Sequence, residues 1–240
     1  MIRAFRQVHR WLMLVVGVQF VIWMLSGVYM VITDIHTVHG EHLTTKQPVF
    51  AVDEVVLSPA DIMAQYPAAT KVRLISRLGS PVYIATFAAN SDTPVRPETI
   101  SATTGETLVS VNESTARDIA ASRYTGATGI ASATLIETKQ NLPEEASGRY
   151  LPFWRIDFDA PEAPTFYVQQ HTGEVVTVSH DGWRSFDWMW RFHIMDLDDG
   201  RTIGNVFLLS AIFTGLLAAL SGAFLSYWRV CRPLMKGEDQ

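Results

Sequence analysis

Four histidines stand at the borders of two long apolar stretches, and imidazole is a side chain well suited to holding a metal cofactor there. His9 precedes the first stretch, His36 and His39 follow it, and His193 shortly precedes the second. A b-type haem in a bilayer needs two axial nitrogens on facing helices, and neutral imidazole supplies them. Ionisable groups in or beside membrane spans are costly to place and are commonly functional. His193 is the strongest candidate, because Trp183, Phe186, Trp188, Trp190 and Phe192 around it suit a membrane–water interface and could wall a porphyrin. The plainer reading makes it one polar residue in an aromatic belt. His36 and His39 lie one turn apart if the first helix continues past the apolar stretch, so either could meet His193, and His36 is nearer the apolar core. Ordinary helix-end polarity explains them equally simply. His9 lies 27 positions before His36, about 40 Å along an ideal helix. It therefore cannot share a metal group with His36 or His193, and a second site would need His9 from two protomers or another ligand. Asp196, Asp198 and Asp199 follow His193. Their hard oxygens suit Fe³⁺, although a solvated acidic turn has the same composition. His42, His171 and His180 read as loop or surface residues.

The elements that must position these groups are two membrane spans. Trp11–Ile32 and Ile203–Trp228 carry no charge. As helices they reach about 33 and 39 Å, enough to cross a hydrocarbon core of about 30 Å. The first is longer than the apolar part of a signal peptide and lacks an A-x-A site, so a retained anchor is expected. Arg3, Arg6 and Arg10 flank one span, and Arg229, Arg232 and Lys236 flank the other. The positive-inside rule then places both termini in the cytoplasm and the middle on the far side, the periplasm of a bacterial inner membrane. Of the net charge of −5, the flanks carry +3 and +1, which leaves −9 for the middle. Small residues recur every fourth position in the second span, as Ala211, Gly215, Ala219 and Ala223 and as Ala218, Gly222 and Ser226. Such rows mark a close helix–helix face, and Gly17 and Gly27 give a weaker version in the first span.

Between the spans the pattern is α+β, with a weak internal repeat over about 57–111 and 113–178 inside a domain of 41–182. Ser58-Pro59-Ala60-Asp61 reads as a helix start. Alternating runs Lys71–Arg77 and Val82–Phe87, joined by Leu78-Gly79-Ser80-Pro81, read as a hairpin, with a third strand near Thr99–Thr103. The second copy opens with a helix at Ser114 or Thr115. Strands follow near Ala133–Glu137, Phe153–Phe158 and Thr165–Gln169, and Asn141–Gly148 reads as a polar loop. Each copy closes on a TGE turn, in ISATTGETLVSV and YVQQHTGEVVTV. The aromatic stretch 183–202 leads to the second span, and 229–240 forms a tail. The single cysteine, Cys231, excludes a disulfide framework and thiolate metal sites. No GxGxxG, P-loop or HExxH occurs. Electrons would therefore come from a quinol or a cytoplasmic reductant, and nothing in the chain points to nucleic acid.

Helix, strands and terminal TGE turn are similar to the PepSY module. The segments HRWL at the first span and FHIMDLDDGRTIG before the second resemble the PepSY-associated transmembrane family, across nearly the whole chain. That resemblance implies haem b, with His193 of FHIMDLDDG and His9 of HRWL as ligands. Larger members have four or more spans and include haem-containing ferric-siderophore reductases. The two-span layout resembles the family's small ferric reductases, which act beside ferrous iron uptake. Two spans do not make a four-helix haem bundle, so the resemblance also implies a homodimer. The activity it implies is electron transfer across the membrane to periplasmic Fe(III) or a ferric chelate. The competing expectations are an anchored PepSY interaction or inhibitory module without redox activity, and an accessory subunit of an iron transporter.

Overall fold

The computed structural model describes residues 2–88, 96–127, 129–198, 200 and 202–231. Asp199 and the tail from residue 232 onward, both named above, lie outside the described residues. The chain divides into two compact units, Met1–Asp34 with Ser185–Gln240, and Ile35–Arg184.

The first unit is built on α1 (Ile2–Ile32) and α6 (Val206–Ser226). Both are long and apolar enough to cross a membrane. Only 6% and 11% of the residues in their most apolar windows are buried, which separates them from the core helices of a water-soluble domain. α1 does not run on to Gly40 as the pattern suggested. Val31, Ile32 and Thr33 are β-branched and poor helix formers. The last helical bond runs from the Thr33 amide to the carbonyl of Tyr29 at 3.1 Å, which the Thr33 hydroxyl also reaches at 2.7 Å, and α1 ends there. A separate short α2 (Ile35–Val38) opens the second unit, and Gly40 closes it at φ 70, the left-handed position expected of it. α6 starts at Val206 rather than Ile203. Asn205 caps it, its Oδ1 accepting from the Leu208 amide at 2.8 Å.

The second unit holds two antiparallel sheets. α3 (Pro59–Gln65) starts where expected, closed by a Ser58–Asp61 capping box, and precedes β1 (Ala69–Arg77), β2 (Ser80–Phe87) and β3 (Glu98–Ser101) in the order β1-β2-β3. Leu78 and Gly79, at φ 52 and 86, form the tight hairpin turn. Ile62 of α3 packs on Tyr83, Ala85 and Ile100 to make this core. α4 (Glu113–Arg123) begins one or two residues earlier than its pattern suggested, because Asn112 caps it through the Thr115 amide at 2.9 Å. It covers β4 (Ile130–Ile136), β5 (Phe153–Phe158), β6 (Thr165–Gln169) and β7 (Val175–Ser179), again a simple meander. Strand β7 was absent from the pattern reading. Ile119 and Ala120 of α4 meet Ile156, Phe166 and Val168 in the second core.

The two TGE turns are built alike. Gly105 and Gly173 take φ 77 and 75, and their amides donate to Ser101 O and Gln169 O at 2.9 and 2.8 Å. Thr104 and Thr172 each accept the amide of the following glutamate through Oγ1, at 3.3 and 3.2 Å. Helix α5 (Asp181–Ile194) then carries the aromatic segment toward α6.

Candidate functional site

His193 lies near the end of α5, and its imidazole rests on α1. Its Nδ1 is 3.1 Å from Ser26 Oγ, and a Cβ added at Gly27 would come 3.5 Å from its Cε1. Ser26 is 1% exposed, and its hydroxyl donates to Ile22 O at 2.8 Å. The serine proton is thereby engaged, so Ser26 Oγ accepts from His193 and Nδ1 carries the hydrogen. The Nε2 lone pair is left available. A groove of about 1010 Å³ adjoins the ring, with Trp23, Met24, Val28 and Leu208 among its walls.

His9 repeats this arrangement with the helix roles exchanged. It stands on α1, and its Nδ1 is 2.8 Å from Ser221 Oγ on α6. Ser221 in turn donates to Ala218 O at 2.8 Å. The same tautomer follows, again with a free Nε2. Gly222 lies opposite, where an added Cβ would be 3.1 Å from His9 Cε1. Each histidine is therefore oriented by a Ser-Gly pair on the other element: Leu25-Ser26-Gly27 for His193 and Leu220-Ser221-Gly222 for His9. The 17 residues from His9 to Ser26 on α1 separate the two levels by about 26 Å along the axis. Of the two small-residue rows in α6, Ala218 and Gly222 face α1, and Ala218 is 2% exposed. Ala211 and Gly215 instead line a groove of about 680 Å³ with Gln19 and Trp23. Arg6 and Arg229 border a further cavity of about 430 Å³.

The segment after His193 holds that residue in place. α5 ends with Met195 at φ 56, and the Asp196 amide reaches back to Arg191 O at 3.1 Å. Arg191 is buried; its Nε donates to Asp187 at 2.6 Å and its Nη1 to Asp198 O at 2.9 Å. Asn205 donates to Ile194 O at 2.9 Å and so ties the end of α5 to the cap of α6. Asp196 is buried, and its two carboxylate oxygens accept the amides of Asp198 and Thr202 at 3.3 and 2.9 Å. Asp198 is exposed.

His36 and His39 belong to the second unit. His36 Nδ1 meets Glu41 at 2.9 Å in an exposed pair, and His39 is exposed beyond the end of α2. The break at Thr33 removes the continuous helical face on which the two were expected to follow the span.

Two polar groupings in the second unit escaped the pattern reading. His180, expected at the surface, is fully buried. Its Nε2 donates to Thr37 O at 3.0 Å, and its Nδ1 lies 3.4 Å from Glu162, which also reaches His42 Nε2 at 3.2 Å. Glu145, in the segment expected to be a polar loop, accepts from Tyr167, from Ser179 at 2.9 Å and from Arg184 at 3.1 Å. Burial pushes this carboxyl up, but the Tyr167, Arg184 and Ser179 hydrogen bonds outweigh it, and the group is held below its ordinary value. Burial and the same carboxylate drive the Tyr167 phenol well above its ordinary range. The order of Glu145, Ser179 and Arg184 along the chain gives no hint of this pairing. The duplicated LSG, by contrast, was open to inspection.

A pair of membrane-length helices with a histidine at each end, joined through an α/β domain of two sheets, defines a membrane protein with a folded domain between its spans. The chain matches the family model of the PepSY-associated TM region over residues 6–234 and belongs to that family. No curated protein and no solved structure matches it.

Proposed function

We propose that this chain is a bacterial inner-membrane electron carrier that binds haem b and reduces ferric iron, free or chelated, on the periplasmic side. The observation that carries the reading is the paired His–Ser geometry. Two imidazoles, about 26 Å apart along the membrane-length helix α1, each have Nδ1 fixed by a serine and Nε2 left with its lone pair. A hydrogen bond at the remote nitrogen is the usual support for a metal-binding histidine. Gly222 leaves the His9 ring room that a Cβ would crowd, and Gly27 lies in ordinary contact distance of the His193 ring. The donor set therefore fits a haem, which supplies one-electron chemistry when bound.

His193 would serve the outer level and His9 the inner. The first unit contains no other histidine. Bis-imidazole ligation at either level thus calls for the same residue of a second copy, and a homodimer would complete a bundle of four spans. This reading replaces His36 by a second His193 at the outer level, because His36 is engaged with Glu41. Arg6 and Arg229 would meet propionate carboxylates at the inner level. With both termini cytoplasmic, as the flanking arginines favour, the two sheets are periplasmic PepSY-like repeats. The acceptor approaches from that side. Asp198 remains exposed to meet it, whereas Asp196 is occupied in folding its own loop. The electron donor is a quinol or a cytoplasmic reductant.

The test is a mixing experiment. Haem-loaded, reduced protein is mixed with ferric citrate, and the visible bands are followed beside a ferrous-specific chelator. One Fe²⁺ formed for each haem reoxidised supports the reading. Bands that stay reduced, with no Fe²⁺ trapped, would contradict it.

A further inference from the structure

A small polar cavity of about 90 Å³ opens among the β1–β2 hairpin, the last turn of α4 and the second TGE turn. Ser76, Arg77, Ser122, Arg123 and Gly173 are among its walls. Three wall atoms are buried without a hydrogen-bond partner: Ser76 Oγ, Arg77 Nη1 and Arg123 Nε. All three can donate, and the guanidinium atoms can do nothing else. Two of them belong to permanent cations. Among the described residues, neither Arg77 nor Arg123 has a carboxylate partner. Glu174 also borders the cavity, but it is held by Arg73 through two bonds of 2.9 and 2.8 Å. Partial burial pushes both guanidinium groups down, the direction expected of a cation that has lost some of its water.

Arg77 and Arg123 are half-buried, but these particular atoms are closed off from solvent, and buried donors are normally satisfied. Three orphan donors converging on one cavity therefore describe a place for an acceptor that carries negative charge. The volume admits one oxyanion group or a few waters. Gly173 helps shape the wall: it is left-handed, and a Cβ there would come 3.3 Å from Arg77 Nε.

We infer that Arg77, Arg123 and Ser76 form an oxyanion site in the α/β domain, which takes the carboxylate or phosphate group of a small ligand. Planar guanidinium groups grip either group through paired N–H bonds. The site is independent of the histidines in the spans and stands whether or not haem is bound.

The experiment uses the full chain, without an affinity tag, in mild detergent. Thermal melting and calorimetric titration are run with inorganic phosphate, with citrate and with chloride at matched ionic strength. Phosphate or citrate should raise the melting temperature where chloride does not, with saturation at one site. A response to citrate alone assigns a carboxylate ligand, and a response to phosphate alone assigns a phosphate. R77Q and R123Q should each weaken binding at least tenfold, and the double variant should abolish it. In chloride, each single variant should melt no lower than the unsubstituted chain, because among the described residues neither guanidinium makes an ion pair that the substitution would break. Equal melting in all three salts would overturn the site. So would variants that keep the anion response, or single variants that melt well below the unsubstituted chain in chloride.

Discussion

Replacing Ser26 by alanine removes the hydroxyl that fixes the His193 tautomer and leaves little else changed. Ser26 is 1% exposed, so water does not take the place of the missing oxygen. The His193 Nδ1–H, which meets Ser26 Oγ at 3.1 Å, loses a bond with a net value of about 1 kcal/mol, and the desolvated donor adds a few tenths or more. A total of about 1.4 kcal/mol is a tenfold change in an equilibrium constant. Haem at the outer level should therefore be held about tenfold more weakly in S26A, at the lower end of the effect of losing the outer partner of a metal-bound histidine. An imidazole without that bond is also a weaker electron donor, so the midpoint potential of this haem should rise. The assay is haem titration with an optical redox titration in the full chain. S221A is the internal control. It should weaken the inner level by a similar factor and leave the outer one untouched, because the two levels are about 26 Å apart. If S26A binds haem with unchanged affinity and potential, the serine is not orienting a ligand and the argument from paired geometry fails.

Two further outcomes follow from the contacts. At Gly222 an added Cβ would sit 3.1 Å from His9 Cε1, whereas at Gly27 it would sit at an ordinary 3.5 Å from His193. G222A should then displace the His9 ring and cost haem at the inner level, while G27A keeps its spectrum. The folded-state carboxyl of Glu145 lies below its ordinary 4.5. The stability it lends is therefore complete above that value and is lost as pH falls through the lower folded value. E145Q should cost about 1–3 kcal/mol at neutral pH and flatten the acid limb of the melting-temperature profile, as read by far-ultraviolet circular dichroism.

Much of the scaffold was legible in the chain because it rests on local rules. Charge-free stretches of membrane length, the helix start at Ser58-Pro59, the hairpin at Leu78-Gly79, the left-handed Gly40 and the two TGE turns depend on near neighbours. What escaped depends on distant ones. The end of α1 at Ile32 has no glycine or proline to mark it. β7 is a short run, Val175–Ser179, that reads as the tail of the turn before it. His180 looked like a linker residue because nothing nearby shows that the carbonyls of Thr37 and Val38 would close over it. The pairing of His9 with Ser221 spans 212 positions. Only the repeated LSG could have hinted that both spans carry the same histidine rest. The orphan donors of Ser76, Arg77 and Arg123 come from two elements that no periodicity connects.

The ratio of haem to chain tests the central claim most directly. It should be measured on homogeneous full-length protein together with H9A and H193A. Two haems shared by two copies predict about one haem per chain, about half that in either single variant, and none in the double variant, with low-spin visible bands throughout. Folded protein that stays colourless after haem loading, or a ratio that neither substitution lowers, would contradict it.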